Sequence, residues 1–171
     1  MRKIICLLLL LCTTGTIVLG QRTRQHPFFV SVGPDLLIPD GEFNLTHGTG
    51  MGATVEFGWR TGRTLAPVAG YSWYTIPGKA GASALNAQVV RAGLRAYLGN
   101  LYVTGEAGSM LQSGYADGNA LVYMLGAGDE VRLGKRTRLD ISGRYESFTA
   151  VRRVGLIGVR AAFTWKWGAL R

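Results

Sequence analysis

From Phe28 to Trp167 the chain alternates with a period of two. In the stretch Met51-Gly-Ala-Thr-Val-Glu-Phe-Gly-Trp59, positions 51, 53, 55, 57 and 59 are apolar and the residues between them are small or polar. The last such stretch puts Ile157, Val159, Ala161, Phe163, Trp165 and Trp167 on one face, with Gly158, Arg160, Ala162, Thr164 and Lys166 on the other. A strand places successive side chains on opposite faces, whereas a helix would scatter both sets around its circumference. Turn residues divide the chain into eight such segments, at about 28–38, 49–59, 65–76, 85–98, 101–112, 119–133, 137–147 and 154–167.

The segments are long. Strands of soluble proteins usually run about 5 to 6 residues, whereas a strand tilted through a bilayer needs about 9 to 11. The connections alternate as well. Those at 39–48, 77–84, 113–118 and 148–153 are longer, and those at 60–64, 99–100 and 134–136 are tight. Tight turns on one side and longer loops on the other are the pattern of an outer-membrane barrel, in which the tight turns face the periplasm. The expected fold is therefore all-β, an eight-stranded antiparallel up-and-down transmembrane β-barrel.

Composition decides which face meets which solvent. Hydrophobic residues make up 47% of the chain and charged residues 17%, with 25 glycines. That charge is low against the roughly 25% of a soluble domain. Beyond the first 20 residues the only lysines are Lys79, Lys135 and Lys166, too few for the outer face of a soluble barrel. The apolar face is therefore expected to meet lipid and the polar face to line the lumen. Aromatic residues that gather towards strand ends, Phe28, Trp59, Tyr71, Trp73, Tyr145, Trp165 and Trp167, are expected at the bilayer interfaces.

Residues 1–20 carry Arg2 and Lys3, an apolar run from Ile4 to Leu11 and a small residue, Gly20, at the end. This reads as a secretory signal peptide cleaved before Gln21. Removing 20 of 171 residues leaves 151, takes both Cys6 and Cys12 away, and lowers the net charge from +9 to +7. The remainder, 21–171, is read as one barrel domain without a disulfide or a thiolate site.

The same parity sends Glu56, Arg91, Arg95, Glu106, Asp140, Arg144, Glu146 and Arg160 into the lumen. Buried charges are affordable only when paired and hydrogen-bonded. An arginine–carboxylate network joining Glu56, Glu106 and Glu146 to Arg91, Arg95, Arg144 and Arg160 is expected, with a structural role. Eight strands leave an interior wide enough for side chains only.

The run from Phe29 to Pro34 with Ile38-Pro-Asp-Gly41, then Gly48 to Glu56 and Ala69-Gly-Tyr71, resembles the first half of small outer-membrane β-barrel proteins of Gram-negative bacteria, the broad OmpA/OmpX-like group. Leu98-Gly-Asn-Leu-Tyr-Val103, Leu125-Gly-Ala-Gly128, Leu139 to Tyr145 and Val159-Arg-Ala-Ala-Phe163 resemble its second half. The resemblance rests on strand and turn patterns and implies the outer membrane as the location. Members often end on an aromatic residue, whereas here Gly168 to Arg171 follow Trp167.

Some barrels of this size are lipid A-modifying enzymes with a histidine-based site. Only His26 and His47 are available, and neither has Ser two positions later. No catalytic, cofactor or metal site is expected. The string Gly48-Thr-Gly-Met-Gly52 runs into a strand, unlike a phosphate loop that opens a helix. Arg22, Arg24, Arg60, Arg63, Lys135, Arg136, Arg138 and Arg171 fall at the tight-turn side, and Arg152 and Arg153 at a loop tip. Dispersed in this way they do not suggest nucleic acid. The partners expected are outer-membrane lipids and the barrel-assembly machinery, with a surface partner left open and the chain monomeric. The reading is a non-enzymatic structural or surface-interaction protein; a lipid A-modifying enzyme and a soluble periplasmic ligand-binding barrel are the alternatives.

Overall fold

The computed structural model describes residues 27–79, 81–113, 120–149 and 153–168. The expected signal peptide, 1–20, lies outside them, as do Arg22, Arg24, His26, Arg152 and Arg171. Eight strands follow one another: β1 (Phe28–Asp40), β2 (Gly50–Trp59), β3 (Leu65–Ile76), β4 (Leu85–Leu98), β5 (Leu101–Ser113), β6 (Ala120–Arg132), β7 (Thr137–Thr149) and β8 (Arg153–Trp167). Each pairs antiparallel with its sequence neighbours, and β8 pairs with β1, so the sheet closes and has no edge. Closure gives every strand two partners, which is how a sheet satisfies its backbone away from water.

The strand ends fall within two residues of the expected ones. β1 and β7 run furthest past their expected ends, by two residues each, β1 through Pro39 and Asp40. The last rung of β1 with β2 is Leu37↔Gly50, and beyond that it continues against β8 alone, where a missing N–H is tolerated. The β1–β8 register also lapses at Gly33 and Pro34, the second of which lacks a donor. The turn between β4 and β5 has two residues, Gly99 and Asn100; Gly99 has φ +72°, the left-handed conformation that such a hairpin requires.

The alternation translates directly into burial. Val32, Met51, Val55, Phe57, Tyr123, Leu125, Ile157, Val159 and Phe163 all point outward and are exposed. Ser31, Asp35, Thr54, Glu56, Ser72, Arg91, Arg95 and Asp140 point inward and are buried. The inward face departs from expectation in one respect: it is not polar throughout. Leu37, Ile76, Leu85, Val89, Met110, Val122, Phe148 and Leu156 fill the lumen near the longer loops. Phe29, Ala66, Val68, Tyr97 and Tyr102 fill it near the tight turns. Side-chain parity assigns a face, and apolar residues occupy both faces of this barrel, outward on every strand and inward in two clusters.

Candidate functional site

Between the two apolar clusters the lumen holds charge. Six cations, Arg60, Arg91, Arg95, Arg144, Arg160 and Lys166, meet six carboxylates, Asp35, Glu56, Glu106, Glu130, Asp140 and Glu146. Three groups can be distinguished, the second and third linked through Arg95, whose Nη1 lies 3.4 Å from the Tyr97 hydroxyl and 3.9 Å from Glu130.

The group nearer the loops is built on Tyr74. Its hydroxyl donates to Glu146 Oε1 at 2.9 Å and accepts from Arg91 Nη1 at 2.6 Å and Arg144 Nη2 at 2.9 Å. Arg91 also reaches Glu106 and Glu146, each at 3.2 Å, and Arg144 reaches Asp35 and Glu146, each at 2.7 Å. Asp35 Oδ2 in turn accepts from Thr54, which is 2.6 Å from Ser72. The next group is square: Arg95 and Arg160 against Glu56 and Asp140. Arg95 lies 2.5 Å from Glu56 and 3.4 Å from Asp140; Arg160 lies 3.3 Å from Glu56 and 3.5 Å from Asp140. Tyr102 donates to Asp140 at 2.7 Å, and the Arg95 Cζ lies over its ring, 3.8 Å from the centroid. At the tight-turn mouth, Glu130 takes Lys166, the Tyr97 hydroxyl at 3.0 Å and Arg60 at 3.6 Å.

The structure therefore brings Glu56, Arg91, Arg95, Glu106, Arg144, Glu146 and Arg160 into contact across the lumen, in two groups. Asp35, Glu130, Lys166 and the three tyrosines join them without having been singled out from the sequence. Asp35 has the inward parity of its strand, as Ser31 does, so the signal was present. Glu130 was masked because its inward neighbours on β6 include Val122 and Met124, which blur the alternation. Arg60 sits in a turn and reads as a solvated residue; it folds back instead, with its guanidinium 3.6 Å over the Tyr97 ring.

Little space is left. A cavity of about 10 Å³ remains between Arg91, Arg95, Arg144, Arg160 and Glu56 on one side and Thr104, Gly126 and Gly143 on the other, room for about one water. Both Arg95 Nε and Arg160 Nε are buried and find no acceptor in the protein. Tight packing extends to the wall: a Cβ at Gly93 would overlap the Gly105 carbonyl oxygen and lie 2.6 Å from Glu106 Cα. Among the described residues the interior around this cavity is packed as a filled core.

His47, the one candidate histidine among the described residues, follows a single helical turn, α1 (Phe43–Thr46). Its ring is fully buried, stacked on Phe43 with centroids 4.0 Å apart. Nε2 lies 3.2 Å from the Ser83 carbonyl oxygen, which can only accept, and Nδ1 lies 2.9 Å from Thr46 Oγ1. A histidine held at both nitrogens joins two loops. The glycine string that runs into β2 also has a packing reason, since a Cβ at Gly50, the first residue of the strand, would lie 2.6 Å from the Ile76 side chain.

On the outer face, Phe28 stacks with Phe57, Trp59 and Trp167 at 6.1 to 6.4 Å, an aromatic cluster at the tight-turn end. Trp165 lies on the same strand face as Trp167. Tyr71 and Trp73 sit elsewhere: Tyr71 is opposite Val55 and Val90 in mid-strand, and Trp73 is opposite Ala53 and Gln88. Tyr145 is likewise away from the strand ends, opposite Leu125 and Ile157. Alternation specifies the face of a residue and leaves its height along a tilted strand to the register. Tyr71 donates to Gln88 at 2.9 Å and Thr75 to Asn86 at 3.0 Å, so polar residues enter the outer face of β3 and β4 towards the loops.

No protein-family model matches the chain, and no curated protein matches it in sequence. Solved structures do match. The chain is similar to Neisserial surface protein A, with a TM-score of 0.57 and 16% identity over 82% of this chain and 97% of that one. It is similar to Ail, the attachment invasion locus protein of Yersinia pestis, with a TM-score of 0.52 and 12% identity over 82% and 99%. OprG, an outer membrane protein from Pseudomonas aeruginosa, gives a TM-score of 0.50 and 10% identity over 85% and 98%. At these identities the likeness is one of fold: this chain shares the architecture of small outer-membrane barrels.

Proposed function

We propose that the chain is an outer-membrane β-barrel protein with a structural or surface-interaction role and no enzymatic activity. The observation that carries the reading is the inversion of the barrel, with apolar side chains outward on all eight strands and paired charges inside. Water is a poor solvent for such an outer face and lipid a good one. Residues 1–20 then direct secretion and are removed, and the tight turns lie on the periplasmic side. Lipids and the barrel-assembly machinery are its partners, and it acts as a monomer. Any partner beyond the membrane meets the loop end, where Leu45 stands 77% exposed beside the Lys79–Asn44 contact. A non-enzymatic role agrees with a His47 occupied at both ring nitrogens.

All four tryptophans, Trp59, Trp73, Trp165 and Trp167, point outward, which supplies the test. The protein should fractionate with outer membranes and migrate faster on gels unheated than boiled. Reconstituted in vesicles, its tryptophan fluorescence should be quenched by brominated acyl chains. Recovery in the soluble periplasmic fraction, or fluorescence indifferent to the brominated lipid, would refute the proposal. Unchanged lipid A mass on overexpression is the expected result for the absence of enzymatic activity; an altered mass, lost in His47→Ala, would overturn that part.

A further inference from the structure

The last inward rung at the tight-turn mouth breaks the charge balance of the lumen. Arg132 on β6 stands directly opposite Arg138 on β7. Both have the parity that puts Glu130 and Asp140 inside. Like charges directly opposite one another destabilise an antiparallel pair. One rung further in, Glu130 stands opposite Asp140, also a like-charged pair, but there the conflict is resolved. Glu130 is held by Lys166 and Tyr97, and Asp140 by Tyr102, Arg95 and Arg160. The arginine rung has no equivalent among the described residues. Arg132 is exposed, and its Nε donates to the Gly134 carbonyl at 3.2 Å. The carboxylate that acts on Arg138 is Glu130, already shared with Lys166 and Arg60, while Arg132 and Arg60 repel it. Arg60 Nε, folded over Tyr97, is buried without an acceptor. Glu130 is thus already shared among Lys166, Arg60 and, at 3.9 Å, Arg95, and leaves the rung of Arg132 and Arg138 without a carboxylate of its own among the described residues.

We propose that this mouth binds a phosphate-type oxyanion, seated between Arg132 and Arg138 with Arg60 behind it. A tetrahedral oxyanion offers several acceptor oxygens at once, and guanidinium groups take them two at a time. Its charge replaces the repulsion across the rung with attraction to both sides. The group is supplied either by a free phosphate ion or by the phosphodiester of an anionic lipid headgroup at the same membrane surface.

The test uses the folded barrel in maltoside micelles, with inorganic phosphate as the probe and chloride at equal ionic strength as the reference. Phosphate should raise the thermal midpoint, followed by circular dichroism, by a few degrees over chloride, since a ligand that binds only the folded state stabilises it. R132Q should show two changes together: a midpoint in chloride at or above that of the parent, because the like-charged pair is gone, and no further rise in phosphate. R138Q carries the same prediction should R132Q fold poorly, and K135Q in the adjoining turn should keep the full phosphate rise. Nanodiscs separate the sources. If the group is a lipid headgroup, discs containing phosphatidylglycerol raise the midpoint over phosphatidylcholine alone and free phosphate adds nothing to them; if it is a free ion, the two discs agree and phosphate raises both. Equal midpoints in phosphate and chloride together with indifference to phosphatidylglycerol would overturn the site, as would an R132Q variant that responds like the parent. A folded barrel that ignores phosphate leaves the membrane proposal standing.

Discussion

Val55 and Glu56 are neighbours on β2 and live in opposite worlds: the valine is 45% exposed and the glutamate 2%. In a soluble protein the two would be exchanged. Here the outward side chains of β2, Met51, Ala53, Val55, Phe57 and Trp59, are all apolar, and in mid-strand one apolar residue does much the same as another. The interior is particular, since Glu56 must meet both Arg95 and Arg160 at hydrogen-bonding distance. Substitutions on the two faces should therefore fail for different reasons.

The largest effect is expected inside. Glu56→Ala removes one corner of the four-charge group and leaves two buried arginines facing one aspartate, which should cost about 3 to 5 kcal/mol of stability in denaturant unfolding from vesicles. Outside, Val55→Arg places a charge in mid-strand against lipid and should cost about 2 to 4 kcal/mol in the same assay, with slowed assembly. The two should also differ in rescue. Glu56→Asp shortens the acid by one methylene and should recover part of the loss, whereas Val55→Lys should recover none. Tyr74→Phe keeps the ring in its apolar cluster and removes one hydroxyl shared by Glu146, Arg91 and Arg144, for about 1 to 3 kcal/mol. Thr54→Ser preserves the hydroxyl between Asp35 and Ser72 and should stay within about 0.5 kcal/mol. Equal costs for Val55→Arg and Thr54→Ser would mean that the two faces of β2 have been exchanged.

The fold was largely legible from alternation. A period of two over 10 to 15 residues identifies a strand and its faces, and eight such strands with alternating loop lengths leave few topologies besides the closed meander. The charged interior was legible in part. The parity of Arg91, Arg95 and Arg144 could be read one strand at a time. Their partners could not, because Arg144 meets Asp35 and Arg160 meets Glu56 across 109 and 104 residues of sequence. The two apolar clusters of the lumen were hidden, since Leu37 or Phe148 reads the same whether it fills a core or faces lipid. His47 and Arg60 read correctly as loop and turn residues, but their packing inward was not legible for a related reason: a turn residue has no parity, and only the approach of another segment draws it inward.

Sequence alone thus determined that the chain forms strands, where they begin and end to within two residues, and which residues share a face, because backbone geometry enforces the period of two locally. Tertiary structure decided the rest. Barrel closure sets the register, the register sets the height of each side chain, and only then does an arginine find its carboxylate. The same step placed Arg132 opposite Arg138, a juxtaposition of residues six apart in sequence that exists only because the β6–β7 hairpin pairs in that register.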